Sequence, residues 1–208
     1  MKSIKENTYK GTRILLGNKK REILNNCIDK LKELGFEEIQ IPIIQLQETF
    51  KNKVGEENNN LMYNFTDRGE RNLCLSPEYT AVIQKLSNTT FKYQKDVKLF
   101  YISECFRGEK PQKGRFRQFT QLGVEIINPS IDYLFELIDL AEVLVSEFGI
   151  KEIEITNNVE RGLDYYEKGK GFEISYAKLG SSKQICGGGK YENGIGFAIG
   201  VDRILTVE

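Results

Sequence analysis

The segment Cys105-Phe106-Arg107-Gly108-Glu109-Lys110-Pro111-Gln112-Lys113-Gly114-Arg115-Phe116-Arg117-Gln118-Phe119-Thr120-Gln121-Leu122-Gly123-Val124-Glu125 decides how this chain folds. Two β-prone stretches flank a basic turn containing Pro111 and Gly114, which predicts a hairpin with strands over 97–107 and 115–127. Gln121 and Glu125 are an even number of positions apart and face one side of the return strand, while Leu122, Val124 and Ile126 face the other, into a core. One side of the hairpin is therefore polar. Such a face is either simply solvated, as in many antiparallel sheets, or directed at a ligand. Arg107 at the rim suits a phosphate, which a guanidinium meets with two parallel hydrogen bonds.

Toward the N-terminus, the spacing of Ile23, Leu24, Cys27, Ile28, Leu31 and Leu34 predicts an amphipathic helix over 18–34 that Gly35 stops. A strand is expected over 38–43, a polar Asn-rich loop over 51–60, strands over 61–66 and 72–75 joined by a turn at 67–69, and a helix opened by Pro77 and running to about Leu86. Beyond the hairpin, residues 132–148 read as a helix capped by Asp132 or Ser130. Its buried stripe is Tyr133, Leu134, Leu137, Ile138, Ala141, Leu144, Val145 and Phe148. Strands over 152–156, 171–176, 182–186 and 194–199 follow, then a terminal helix over 201–207. Gly187-Gly188-Gly189 reads either as a flexible turn or as a wall against a substrate, and Gly196 as a close approach of a ligand or a tight core crossing. Strands mostly adjacent in sequence, with helices between them, indicate an α+β domain: an antiparallel sheet flanked by helices.

With 208 residues, no internal repeat and no linker, the expectation is a single domain over 1–208. The 30 Lys and Arg balance the 30 Asp and Glu, so no global basic field draws in nucleic acid, and any RNA contact must be local. Only 39% of the residues are hydrophobic, no apolar run approaches the length of a membrane span, and Met1–Lys10 is polar without a signal-peptide core. A cytoplasmic protein that does not touch a membrane is expected. Cys27, Cys74, Cys105 and Cys186 are dispersed without a C-x-x-C pair, and the chain has no histidine, which argues against a protein-held metal and reads the cysteines as reduced core thiols. The absence of histidine also excludes a His general base and every Ser-His or Cys-His arrangement. Chemistry must then run on charge and positioning.

Several further stretches bear on what that chemistry is. Phe106-Arg107-Gly108-Glu109 followed by Pro111 to Glu125 resembles motif 2 of class II aminoacyl-tRNA synthetases, in its histidyl form. Ser76-Pro77-Glu78-Tyr79-Thr80 resembles the R-P-E-G-T amino-acid turn, and Arg161-Gly162-Leu163-Asp164-Tyr165-Tyr166 matches the R-G-L-D-Y-Y signature of histidine-specific enzymes. The stretch 194–203 is similar to motif 3; Gly11-Thr12-Arg13 and 35–42 are similar to the lead-in segment and motif 1. The resemblance to the histidyl-tRNA synthetase family thus spans nearly the whole chain.

That resemblance implies a class II fold and a set of roles. Arg107, Arg161 and Arg203 would be the catalytic arginines. Arg107, Glu109, Arg115, Phe119, Gly200 and Arg203 would hold ATP, with magnesium implied by the triphosphate. Glu78, Thr80, Gln121, Glu125, Arg161, Tyr166 and Tyr191 would hold histidine or a related amino acid. The reaction implied is formation of an aminoacyl-adenylate, in which the substrate carboxylate is itself the nucleophile. A pocket containing both Glu78 and Glu125 independently expects a cationic or donor-rich ligand, because a buried carboxylate without a partner is costly.

The chain departs from the family pattern. Ser76 stands for an arginine, Tyr79 for a small residue, and the 191–194 loop is short. Only one helix and one strand are expected between Asn128 and Val159, where the family carries a helical insertion, and the sequence stops at Glu208, where the family continues into an anticodon-binding domain. A minimal core is expected, without either part. Two readings follow. One is an adenylate-forming ligase passing its product to tRNA or another acceptor. The other is a non-charging paralogue similar to the regulatory subunit of ATP phosphoribosyltransferase, which would bind histidine and the transferase's catalytic subunit. The joint presence of Arg107, Arg161 and Arg203 favours the first, since a sensor has no need of all three. Motif 1, over 38–50, is expected to form a homodimer interface.

Overall fold

In a computed structural model the chain is described over residues 19–51, 53, 59–110, 114–159, 166–179 and 183–206. Its elements run α1 (Lys19–Glu33), β1 (Glu37–Glu38), β2 (Ile44–Leu46), β3 (Asn64–Thr66), β4 (Asn72–Leu75), α2 (Thr80–Asn88), β5 (Val97–Phe106), β6 (Gln118–Ile127), α3 (Leu134–Ser146), β7 (Ile153–Val159), β8 (Tyr166–Tyr176), β9 (Gln184–Tyr191), β10 (Gly194–Gly200) and α4 (Val201–Ile204). Among the described residues these strands form a seven-stranded sheet, ordered β1-β5-β6-β10-β9-β8-β7, and a three-stranded sheet, ordered β2-β4-β3. Only the short β1 pairs in parallel; the other ladders of the large sheet are antiparallel.

The hairpin expected from the sequence is β5–β6, paired from Val97↔Ile127 to Phe106↔Gln118, and the Arg107 N–H donates to the Arg117 carbonyl just beyond it. Alternation along β6 works as predicted. Leu122, Val124 and Ile126 are buried with residues of α1 and α3 on one face of the sheet. Tyr101, Cys105 and Ile127 belong to a second core on the other face, shared with Tyr79, Ala81, Val82 and Ile83 around α2.

Several boundaries move for identifiable reasons. The strand expected over 38–43 splits: Glu37–Glu38 joins the large sheet, Ile39 donates its N–H to the Phe100 carbonyl, and the chain then crosses to the small sheet at Ile44. Pro42 lies at the crossing, where it has no N–H to give either ladder. The helix expected to open at Pro77 begins at Thr80, because the Glu78 carboxylate accepts the N–H groups of Thr80 (2.7 Å) and Ala81 (3.1 Å) and fixes the first turn there. For α3 the side chain that receives a first-turn N–H is Asp132, from Leu134 at 3.1 Å; Ser130 instead gives both its N–H and its hydroxyl to Asp96. The turn at Asp67 is as expected, with Oδ1 accepting from the N–H groups of Gly69 and Arg71.

The Gly187–Gly189 run is neither a turn nor free. It lies inside β9, paired on one side with Gly196, Phe197 and Ala198 and on the other with Gly171, Phe172 and Glu173. A Cβ on Gly188 would collide with the Gly196 carbonyl and the Phe197 side chain, so the glycines allow close approach across the sheet. No described helix is long and apolar enough to cross a membrane.

Candidate functional site

The face of β6 opposite α1 and α3 carries Gln121, Gly123 and Glu125, and the side chains gathered over it come from α2, β5, β8 and β9. Glu125 is fully buried. Its Oε1 accepts the Thr80 hydroxyl at 3.1 Å and its Oε2 the Tyr191 hydroxyl at 2.7 Å. Burial drives the Glu125 carboxyl up to about 8 against those two hydrogen bonds, and the charge of Glu78 adds to the rise. Gly196 on β10, paired with Glu125, leaves the space this carboxylate occupies; a Cβ there would strike it. For Gly196 the tight crossing is therefore what the structure shows. Gly200 differs, with no atom closer than 3.7 Å to an added Cβ.

The two carboxylates are held in opposite ways. Glu78 sits at the N-terminus of α2, where helix N–H groups and the positive end of the dipole favour its charge, whereas Glu125 is held by hydroxyls in an apolar setting. The partner for Glu78 is one the sequence gave no sign of. Half-buried Gln121 accepts the Cys105 thiol at 3.1 Å through its Oε1. The half-buried Tyr166 ring meets Tyr191 edge-on, 6.4 Å between centroids.

At the hairpin end of the same face the charges are cationic. Arg107 donates from Nε to the Pro77 carbonyl at 3.0 Å and lies 5.3 Å over the Phe119 ring, so the strand end and the Ser76–Thr80 turn are joined through one guanidinium. Arg115 pairs with Glu109 at 3.5 Å. Burial, then the nearby charge of Arg115, lowers the pKa of Arg203, with Glu109 and Glu173 acting the other way. Gly114, at φ +75°, lets the returning hairpin lie against Arg203: an added Cβ would be 3.4 Å from Arg203 Cγ. The structure thus gathers Arg107, Glu109, Arg115, Phe119 and Arg203 near the hairpin end and Glu78, Thr80, Gln121, Glu125, Tyr166 and Tyr191 along the sheet. Arg161 lies outside the described residues.

Sequence reasoning missed Tyr101. It pairs with Gly123 across the β5–β6 ladder, and its ring lies where a Gly123 side chain would be. The hydroxyl is buried and has no hydrogen-bond partner among the described residues. Burial raises the Tyr101 pKa, and the nearby carboxylates Glu125 and Glu78 add to the effect. The available signal was a large aromatic directly opposite a glycine on a polar-faced strand pair. A cavity of about 810 Å³ at the other end of the sheet, lined by Lys92, Tyr93, Asn128, Asp132 and Lys190, touches this set only through Tyr191. None of Arg107, Arg115 and Arg203 lines it.

The family model of histidyl-tRNA synthetases matches residues 17–159, well over half of the chain. The chain belongs to the histidyl-tRNA synthetase family. The histidine–tRNA ligase of Desulfitobacterium hafniense strain DSM 10664 is 28% identical over 284 residues, covering 84% of this chain and 66% of that protein. The chain therefore spans just under two thirds of that relative's length. Apo histidyl-tRNA synthetase of S. aureus superposes with a TM-score of 0.74 at 26% identity, covering 97% of this chain and 69% of that one. A Bacillus halodurans structure described as an ATP phosphoribosyltransferase regulatory subunit/histidyl-tRNA synthetase shares the fold, with a TM-score of 0.77 at 16% identity over 100% of this chain and 84% of that one.

Within this histidyl-tRNA synthetase fold, Tyr79, where a small residue was expected, is accommodated beside the cluster. The Tyr79 ring is fully buried 5.2 Å from that of Tyr101, and its hydroxyl donates to the Glu104 carbonyl at 2.7 Å. Ser76, in place of the family arginine, closes the turn locally by donating to the Glu78 carbonyl at 2.6 Å. Tyr79 thus packs the turn on β5, while the Ser76 hydroxyl closes it from within.

Proposed function

We propose that this chain activates histidine or a close relative of it with ATP, forming an aminoacyl-adenylate. The observation that carries the reading is the division of one sheet face: arginines at the hairpin end, two carboxylates with hydroxyls along the strands. In this reading Arg107 and Arg203 bind the α-phosphate and the γ-phosphate end of a bent triphosphate, with Arg115, Glu109, Phe119 and Gly200 along the nucleotide. Arg115 already raises the cost of charging Arg203, and an incoming polyanion relieves that repulsion. Magnesium, carried in on the triphosphate, supplies the remaining charge compensation.

Glu78 receives the substrate ammonium, with Thr80 and Gln121 beside it, and Glu125, Tyr166 and Tyr191 bind the side chain. The substrate carboxylate oxygen attacks the α-phosphorus, the bond to the bridging β-phosphate oxygen breaks, and pyrophosphate leaves. With no histidine in the chain, no protein base is required, because the nucleophile is already an anion. Arg161, by family resemblance, bridges that carboxylate and the α-phosphate. The basic hairpin tip, with Lys110, Arg115 and Arg117, is the place for an acceptor RNA.

Pyrophosphate exchange across all amino acids tests this reading. Histidine-dependent exchange is expected, and Arg161→Ala should lower it by about 10²-fold or more while leaving thermal unfolding unchanged. No exchange with any amino acid defeats it. Absence of exchange together with a histidine-dependent complex with an ATP phosphoribosyltransferase catalytic subunit would replace it with the sensing role.

A further inference from the structure

A polar network behind the arginine cluster joins three parts of the chain that are far apart in sequence. Lys20, in the first turn of α1, donates from Nζ to the Thr120 hydroxyl at 2.6 Å and to Asp202 Oδ1 at 3.1 Å. The Thr120 hydroxyl in turn donates a hydrogen bond to Glu104 Oε1 at 2.7 Å, and Glu104 Oε2 accepts from Gln118 at 3.3 Å. The Thr120 N–H donates to Asp202 Oδ2. One lysine therefore links α1, the hairpin strand β6 and the residue adjoining Arg203.

Burial makes the link matter. The Asp202 side chain is 2% exposed and that of Lys20 18%, so their ion pair is shielded from water and worth more than a surface pair. Removing Lys20 takes one cationic partner from this buried carboxylate, which is costly and is answered by a shift in position, protonation or entry of water. Asp202 lies in α4, which spans only Val201–Ile204 and has few internal hydrogen bonds to hold its own orientation. Val201 and Ile204 anchor α4 in the core, the Asp202–Thr120–Lys20 set ties it to β6 by polar contacts, and Arg203 is the next residue along.

We infer that Lys20 is a positioning residue for the nucleotide end of the site: through Asp202 and Thr120 it sets the placement of Arg203 relative to the hairpin. The inference rests on the adenylate-forming reading for its kinetic consequence, but not for its structural one. Lys20 lies on the helix-covered face, away from the carboxylate cluster, so its loss acts on the nucleotide and not on the amino acid.

The test is Lys20→Met, which keeps the aliphatic stem, beside Lys20→Arg, which keeps the charge. Hydrogen exchange of the Thr120 amide reads the brace directly, without any activity: protection should fall about tenfold or more in Lys20→Met and recover in Lys20→Arg. In pyrophosphate exchange, Lys20→Met should raise the KM for ATP about tenfold with the amino-acid KM unchanged. Wild-type protection of Thr120 together with a wild-type KM for ATP in Lys20→Met overturns the inference. So does a lowered melting temperature with both KM values unmoved, which marks a role in stability alone. If the unmodified protein exchanges with no amino acid, the adenylation reading fails, and the amide measurement still decides whether Lys20 holds Asp202.

Discussion

Tyr101 shows how far a single side chain can depart from what stability alone would select. Leaving a buried hydroxyl unsatisfied costs about 1–3 kcal/mol, and phenylalanine would fill the same space without it. Tyr101→Phe is therefore expected to keep or raise the melting temperature and, if the proposed histidine pocket is the site and this hydroxyl serves its ligand, to weaken histidine binding about tenfold by calorimetry. Unchanged affinity would remove Tyr101 from the site. Glu125 gives a second expectation, with a definite sign. Its carboxyl is raised from an ordinary value of 4.5 to about 8, so between those pH values the folded chain holds a proton that the unfolded chain has released. Folding then takes up a proton, and stability declines as pH rises from about 4.5 through about 8. Urea midpoints across this range should fall less steeply in Glu125→Gln, which cannot ionise; an identical slope in the variant would assign the dependence to other groups.

Elements whose own residues settle their conformation were legible in the sequence. The stripe of α1 and that of α3 follow helical periodicity over several turns, and Leu122, Val124 and Ile126 alternate with Gln121, Gly123 and Glu125 along β6, so their patterns place them. Elements whose boundaries depend on distant partners were not. The start of α2 is set by a side chain outside the helix, and the 38–46 run divides between two sheets at a proline. The glycines of β9 carry no side-chain pattern at all; only the strands on either side make that segment a strand. β8 begins at Tyr166 rather than 171 because a register shift lets it carry extra residues past β9. Candidate site residues followed the same division: Gln121 and Glu125 were readable from strand parity and Arg107 from its place at the hairpin rim, whereas the opposition of Tyr101 to Gly123 exists only once β5 and β6 are in register.

For the molecule as a whole, the small sheet presents Ile43, Ile44, Leu46, Tyr63 and Phe65 to solvent, each at least 37% exposed. Exposed apolar groups of this number on and beside one small sheet are what an association surface requires. It overlaps the 38–50 segment from which a two-fold homodimer is expected, so sedimentation at micromolar concentration should report a dimer that Ile44→Asp dissociates. A monomeric unmodified protein would refute this. The sequence by itself determined the hairpin, the two amphipathic helices, the class of sheet and the family, because those rest on local periodicity and on motifs whose spacing survives without coordinates. Only the tertiary structure decided which carboxylate is stabilised by a helix end and which is pushed toward neutrality by burial, which glycines make room for side chains, and that Lys20 reaches Asp202. Each of those depends on groups brought together from opposite ends of the chain, and desolvation and hydrogen bonding act through that proximity, which residue order alone does not specify.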